Sequence, residues 1–241
     1  MSGHVPSGRS RRSRLGQHFL GSSRLASQLV ADAGVTGDDR VVELGAGRGE
    51  LTDALADRAG QVLAFELDPK LVSILARRFA SVRNVAVSRA DARDVALPAN
   101  PYRVLANLPF GVTSAVLRRL LDVPASGLRR ADLIVQWQVA RERVRASSGP
   151  PVDLRGARWA PWWEFHRGRR LPAACFRPRP SVDAAVLVVT RRAEPLLPTS
   201  ASDRYSSFVA RAFRSRADAR NLGVDRWVEL FRTFDGRRAA G

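Results

Sequence analysis

Apolar residues along this chain switch repeatedly between two spacings. Short runs rich in Val, Leu and Ala recur at Asp39–Leu44, Gln61–Glu66, Val85–Ser88, Tyr102–Ala106 and Asp132–Gln136. Each has the length and the β-branched content of a buried strand. Between them the apolar residues fall at helical intervals, in Leu51–Arg58, in Leu71–Phe79 (Leu71, Ile74, Leu75 and Phe79 on one face) and in Val112–Leu121. Another helix is expected at 22–33 on Leu25, Leu29 and Val30, and a basic one around Val139–Arg145. Strands alternating with helices predict an α/β fold, a parallel sheet covered on both faces.

The pattern changes towards both ends. Residues 148–181 are rich in Pro, Gly, Arg and Trp and show no long helix, while Ala184–Thr190 reads as a late strand. A Pro- and Ser-containing link, 191–202, leads to two short helices around Tyr205–Phe213 and Asp225–Phe234. Residues 1–14 are Ser, Gly and Arg with little to bury and read as a disordered basic arm. The expected division is 1–14, 15–190 and 191–241, the last a small helical part that meets RNA.

Charge narrows the partner. The chain has 241 residues, 45% of them hydrophobic, with 40 basic against 23 acidic side chains and a net charge of +17. An enzyme of a small neutral metabolite has no need of that excess, so a polyanion, first of all nucleic acid, is the expected partner. Lys70 is the only lysine, so a bias towards arginine explains the type of cation but not the surplus. Arg9, Arg11, Arg12 and Arg14 are candidates for phosphate contact. Arg141, Arg143 and Arg145, and Arg167, Arg169 and Arg170 after Trp159, Trp162 and Trp163, suit looped RNA, whose bases are free to stack. Any one of those tryptophans taken alone reads as core. Cys175 stands alone, which excludes an internal disulfide and a cysteine-based zinc site. No run approaches the ~20 apolar residues needed to span a bilayer. A cytoplasmic monomer without metal or membrane attachment is expected.

Two motifs carry chemistry. Glu43-Leu44-Gly45-Ala46-Gly47-Arg48-Gly49 follows a strand and opens a helix, and its glycines, Gly45 and Gly47 among them, allow positive φ and close approach of a ligand. Glu66, 21 residues after Gly45 at the end of the next strand, is placed to accept ribose hydroxyls. Asp91, after the third strand, is placed to accept from an adenine amino group. The spacing G-x-G-x-G differs from the usual dinucleotide G-x-G-x-x-G, and no second phosphate cradle follows. Acid and carbonyl lining suits a sulfonium, which favours S-adenosylmethionine over NAD. About 60 residues after the glycines, Asn107-Leu108-Pro109-Phe110 ends a strand. The Asn107 side chain and the Leu108 backbone each offer a carbonyl to an amine, and Phe110 offers a stacking face. An NAD-dependent oxidoreductase and a non-catalytic RNA-binding protein are the other readings.

The ordered set of these pieces resembles the ribosomal-RNA adenine N6-dimethyltransferases, and among them most of all the Erm family of macrolide, lincosamide and streptogramin B resistance. The set comprises Leu15-Gly16-Gln17-His18-Phe19-Leu20, the glycine motif, Phe65-Glu66-Leu67-Asp68, Asp91, Asn107-Leu108-Pro109-Phe110 and Phe176-Arg177-Pro178-Arg179-Pro180-Ser181-Val182-Asp183. The resemblance implies a Rossmann-like S-adenosylmethionine-dependent methyltransferase sheet with a small C-terminal helical appendage. It implies that Gln17, His18 and Leu20 close over the donor, that Gly45, Gly47, Glu66, Asp91 and Asn107 border it, and that Asn107 and Leu108 hold the target amine. Phe110 and Phe176 are implied to meet the flipped adenine. The implied reaction is methylation of one adenine in the peptidyl-transferase loop of 23S rRNA, with a 16S rRNA dimethyltransferase as the alternative. His18 stands where the family often has Asn, and Phe110 where it also allows Tyr. The C-terminal part is shorter than is usual in the family.

Overall fold

The computed structural model describes residues 18–148, 153–215 and 221–239. The basic arm lies outside the described residues. Strand β1 (Phe19–Leu20) leads into helix α1 (Ser23–Asp32), whose first turn is capped by the Ser22 hydroxyl and whose buried face is Ala26, Leu29 and Val30. Then follow β2 (Arg40–Leu44), α2 (Glu50–Ala56), β3 (Gln61–Glu66), α3 (Pro69–Arg78) and β4 (Val85–Arg89). Asp68 caps α3 by accepting from the Lys70 N–H at 2.9 Å, and Pro69 supplies its preset φ at the first turn. The chain continues through β5 (Tyr102–Asn107), α4 (Thr113–Leu121), β6 (Leu128–Gln136), α5 (Trp137–Ser148), α6 (Leu154–Trp159), β7 (Trp163–Leu171), β8 (Phe176–Arg177) and β9 (Ala184–Arg191). Helices α7 (Ser202–Ser215) and α8 (Val224–Ala239) follow.

Seven strands form one sheet in the order β4-β3-β2-β5-β6-β9-β7, and β1 pairs with β8 in a separate ribbon. Strands β4, β3, β2, β5 and β6 are parallel, as the pattern predicts. The expectation of a parallel sheet fails at one edge, where β9 runs against both β6 and β7. The link between β7 and β9 contains only a 3-10 turn and β8, not the crossover helix that a parallel return requires. Strand β7 itself was not marked by the sequence: residues 166–170 are all exposed, so neither an apolar run nor a clean alternation signals it.

Trp159, Trp162 and Trp163 are buried, which corrects their reading as RNA-stacking partners of the arginines. Their indole N–H groups donate to Asp122 Oδ1 at 2.7 Å, Leu197 O at 2.8 Å and Leu121 O at 3.2 Å, so the rings are satisfied inside the fold. The same apolar cluster continues into Tyr205 and Val209 of α7 and Trp227 and Phe231 of α8.

The strand order has a switch. From β2 the chain steps outward to β3 and β4 on one side, and from β5 to β6 on the other. Connections therefore leave β2 and β5 in opposite directions and open a crevice at their carboxyl ends. Both motifs lie there, because the glycine loop follows β2 and Asn107 ends β5.

Candidate active site

Each glycine of the loop is held in the left-handed region, Gly45 at φ 78°, Gly47 at 61° and Gly49 at 89°. Gly47 is also sterically required, since a Cβ there would come within 3.0 Å of the Phe19 ring. The loop spends its amides internally. Gly45 and Ala46 N–H both donate to Phe65 O (2.8 and 3.0 Å), Gly49 N–H to Ala46 O (2.9 Å) and Gly47 N–H to Glu66 Oε2 (2.8 Å). A loop so engaged does not present the open nest of amides that a pyrophosphate needs, which argues against a dinucleotide.

Glu66 is buried, and its other oxygen accepts from Leu67 N–H at 2.8 Å and Asp68 N–H at 2.9 Å. Three of the roughly four lone-pair sites of a carboxylate are thus taken. The remaining one can accept a single ribose hydroxyl without loss of a backbone bond. Asp91 is clamped by Arg93, whose Nε lies 2.9 and 3.1 Å from its two oxygens, and the Arg93 hydrogen bonds hold its pKa below the usual carboxylate range. An incoming adenine amine must share Asp91 with that guanidinium. Asp91 lines a cleft of about 840 Å³ together with Arg93, Asp94, Arg118 and Asp122 among others. Neither Glu66 nor Asn107 lines that cleft, so it is a neighbour of the crevice and not its floor.

At the end of β5 the arrangement is different. Asn107 Nδ2 donates to the His18 carbonyl at 2.7 Å. That bond assigns the amide orientation and turns Oδ1 the other way, where no described residue donates to it. Nor does any described residue donate to the Leu108 carbonyl. Phe110 is half-buried, with its ring centre 5.4 Å from the His18 imidazole at a 41° tilt. His18 is itself anchored, its Nδ1 donating to the Pro178 carbonyl at 2.8 Å. Two carbonyl acceptors, Asn107 Oδ1 and Leu108 O, thus border this part of the crevice, which fits an amine on one side and a sulfonium on the other. S-adenosylmethionine satisfies the glycine cradle, the Glu66 site and this lining together.

The family profile described as Ribosomal RNA adenine dimethylase matches residues 8–222. The chain belongs to that family. An rRNA adenine N-6-methyltransferase of Corynebacterium diphtheriae is 33% identical over 201 residues, which cover 83% of this chain and 77% of the relative. The mycinamicin-resistance protein MyrB of Micromonospora griseorubida is 38% identical over 202 residues, 84% of this chain and 63% of its own length. Against several relatives the chain spans only 57% to 63% of their length. The crystal structure of the 23S rRNA methyltransferase ErmE matches with a TM-score of 0.76 at 27% identity, covering 90% of this chain and 99% of that one.

In this member of the family, the residues singled out from sequence are placed unevenly. His18, Gly45, Gly47, Glu66, Asn107, Leu108 and Phe110 converge on the crevice. Leu20 is buried opposite Phe176 across the β1–β8 ribbon. Phe176 is only 1% exposed, so its ring has no face for a base, and the expected contact with the flipped adenine is corrected to a core role. Gln17 lies outside the described residues. Three features were missed. Phe19 supports the loop at Gly47, with the Arg48 guanidinium 4.8 Å from its ring centre. The Pro178 carbonyl orients His18. Glu43, under the loop, is 1% exposed and takes a hydrogen bond from the Thr52 hydroxyl at 2.7 Å. Burial pushes its pKa from 4.5 up to about 8, against the opposing pull of that bond. Its place at the head of the glycine motif was the available signal. Among the described residues no cluster of His, Cys, Asp or Glu is placed to hold a metal ion, and no helix is long and apolar enough to cross a membrane.

Proposed function

We propose that this chain transfers a methyl group from S-adenosylmethionine to N6 of one adenine in the peptidyl-transferase loop of 23S rRNA, as a cytoplasmic monomer. Resistance to macrolide, lincosamide and streptogramin B antibiotics follows. The observation that carries the chemistry is the pair of acceptors, Asn107 Oδ1 and Leu108 O, that no described residue claims, beside the half-exposed Phe110. The likeness to ErmE supports the 23S target, and that to the mycinamicin-resistance protein MyrB supports the resistance.

Gly45, Gly47, Glu66 and Asp91 would hold the donor, with His18 and Asn107 bordering it. When bound, the donor supplies an electrophilic methyl carbon. Adenine N6 is a poor nucleophile because its lone pair is delocalised into the ring. Asn107 and Leu108 accept its two hydrogens, draw it towards a tetrahedral shape and aim the lone pair. Phe110 stacks on the flipped base and returns roughly 1–3 kcal/mol against an unstacking cost of about a few kcal/mol. No side chain acts as general base, since the methylated nitrogen is acidic enough to release its proton to solvent. Residues 191–241 extend the RNA contact.

Primer extension on rRNA from cells expressing the chain tests this reading. A stop at one adenine of the 23S peptidyl-transferase loop is expected. Stops at adjacent adenines near the 3′ end of 16S rRNA would replace the target with the small-subunit one, and unmodified rRNA would overturn the reading.

A further inference from the structure

The edge strand β7 gathers cations on one face beside the crevice. Arg167 lies opposite Leu187 and Arg170 opposite Ala185, so Gly168 and Arg169 together face the single residue Val186. In a regular strand, residues three apart point to opposite faces. The extra residue of this bulge brings Arg167 and Arg170 to the same face. Gly168 leaves room for the bulge, since a Cβ there would approach Val186 Cβ to 3.1 Å. The two guanidinium carbons each lie 4.8 Å from the centre of the Trp137 ring. Arg169 is directed elsewhere, to Asp32 of α1 at 2.7 Å.

The location matters as much as the grouping. Trp137 begins α5 directly after β6, three residues past Ile134, which pairs with Asn107. At about 3.3 Å per residue this sets the Trp137 backbone roughly 10 Å along the strand direction from the reacting end of β5. Both arginines are exposed. Arg170 shares Asp183 at 2.8 Å, while Arg167 has no carboxylate partner among the described residues. An aromatic face that already holds the guanidinium groups reduces the rotamer freedom they lose on binding an anion; Arg167 offers its N–H edge for bidentate contact, while Arg170 shares Nε and Nη2 with Asp183 and brings its other N–H groups. By contrast Arg143, also singled out for RNA, is spent on Asp153 at 2.8 Å.

We propose that Trp137, Arg167 and Arg170 form a docking platform for the phosphate backbone flanking the target adenine. The inference rests on the rRNA-methylation reading for its partner. Its test is the salt dependence of binding between the full chain and a synthetic RNA hairpin with a single unpaired adenine, measured by fluorescence anisotropy. Arg167→Ala and Arg170→Ala are each expected to weaken binding about tenfold and to reduce the slope of log K against log salt by about 1. Arg169→Ala, on the other face, is expected to stay within twofold. Trp137→Ala should weaken binding, and Trp137→Phe should restore most of the loss. Calorimetric S-adenosylmethionine affinity should be unchanged in the arginine variants, which also reports that they fold. Overlapping salt slopes for Arg167→Ala, Arg170→Ala and the unsubstituted chain would overturn the platform. The readout involves no methyl transfer, so a chain that binds RNA through Arg167 yet methylates nothing sinks the functional reading and leaves the platform standing.

Discussion

The ends of β2 and β5 meet at one crevice but are built on opposite plans. After β2, the amides of Gly45, Ala46, Gly47 and Gly49 and most of the lone pairs of Glu66 are consumed by the fold itself. After β5, Asn107 gives its amide nitrogen to His18, and among the described residues its oxygen and the Leu108 carbonyl stay unclaimed. The first plan makes a stiff wall that a ligand leans on. The second makes a pair of acceptors that a ligand must complete. Positioning that is already satisfied costs little reorganisation on binding, whereas unpaired acceptors act where the reacting group gains charge.

Substitutions on each side test whether that contrast is real. The largest effect is expected from Asn107→Ala, a loss of methyl transfer on the order of 10²–10³-fold with donor affinity mostly retained in calorimetry. Full turnover would remove the acceptor argument. Phe110→Ala should lower kcat/KM roughly ten- to hundredfold, while Phe110→Tyr should stay near the parent. Equal rates for the two would mean that stacking contributes nothing. On the stiff side, Gly47→Ala forces a Cβ onto Phe19 at a left-handed position, and should destabilise the chain by about 1–2 kcal/mol and weaken donor binding. Thermal melts with and without S-adenosylmethionine would show it.

The smallest effect concerns Glu43. Its folded pKa of about 8 lies above the ordinary carboxyl value of 4.5, so the native state keeps a proton that the unfolded chain releases between those values. Stability from this group is therefore complete below about pH 4.5 and is lost as the pH rises through about 8, with a slope of up to about 1.4 kcal/mol per pH unit. Glu43→Gln should flatten that slope in urea denaturation at pH 6 and pH 8.5. An unchanged pH dependence would place the titrating group elsewhere.

What the sequence made legible follows from which forces are local. Strands β2 and β5 announce themselves because both faces of a covered parallel sheet are apolar, and Asp68-Pro69 marks a helix start by its own chemistry. The glycine loop and Asn107 are likewise readable, since backbone conformation and strand-end position are local properties. Strand β7 was not readable, because its pairing with β9 depends on a distant partner and five successive residues face water. The orientation of the Asn107 amide depends on His18, 89 residues away. Trp159 and Phe176 show the same limit, since aromatic rings serve cores and bases equally well and only burial separates the two uses. The shift at Glu43 arises from three-dimensional desolvation, which its neighbours in the chain do not reveal.

The bulge in β7 has a second consequence. An outermost strand with open hydrogen-bonding groups is a template on which another polypeptide can add and seed aggregates. Here the extra residue at Gly168–Arg169 spoils the register that an added strand would need, and Arg167, Arg169 and Arg170 repel a like-charged copy. Nucleic-acid affinity and colloidal solubility thus share the same side chains, and a variant stripped of all three at once is expected to precipitate before its RNA binding can be measured.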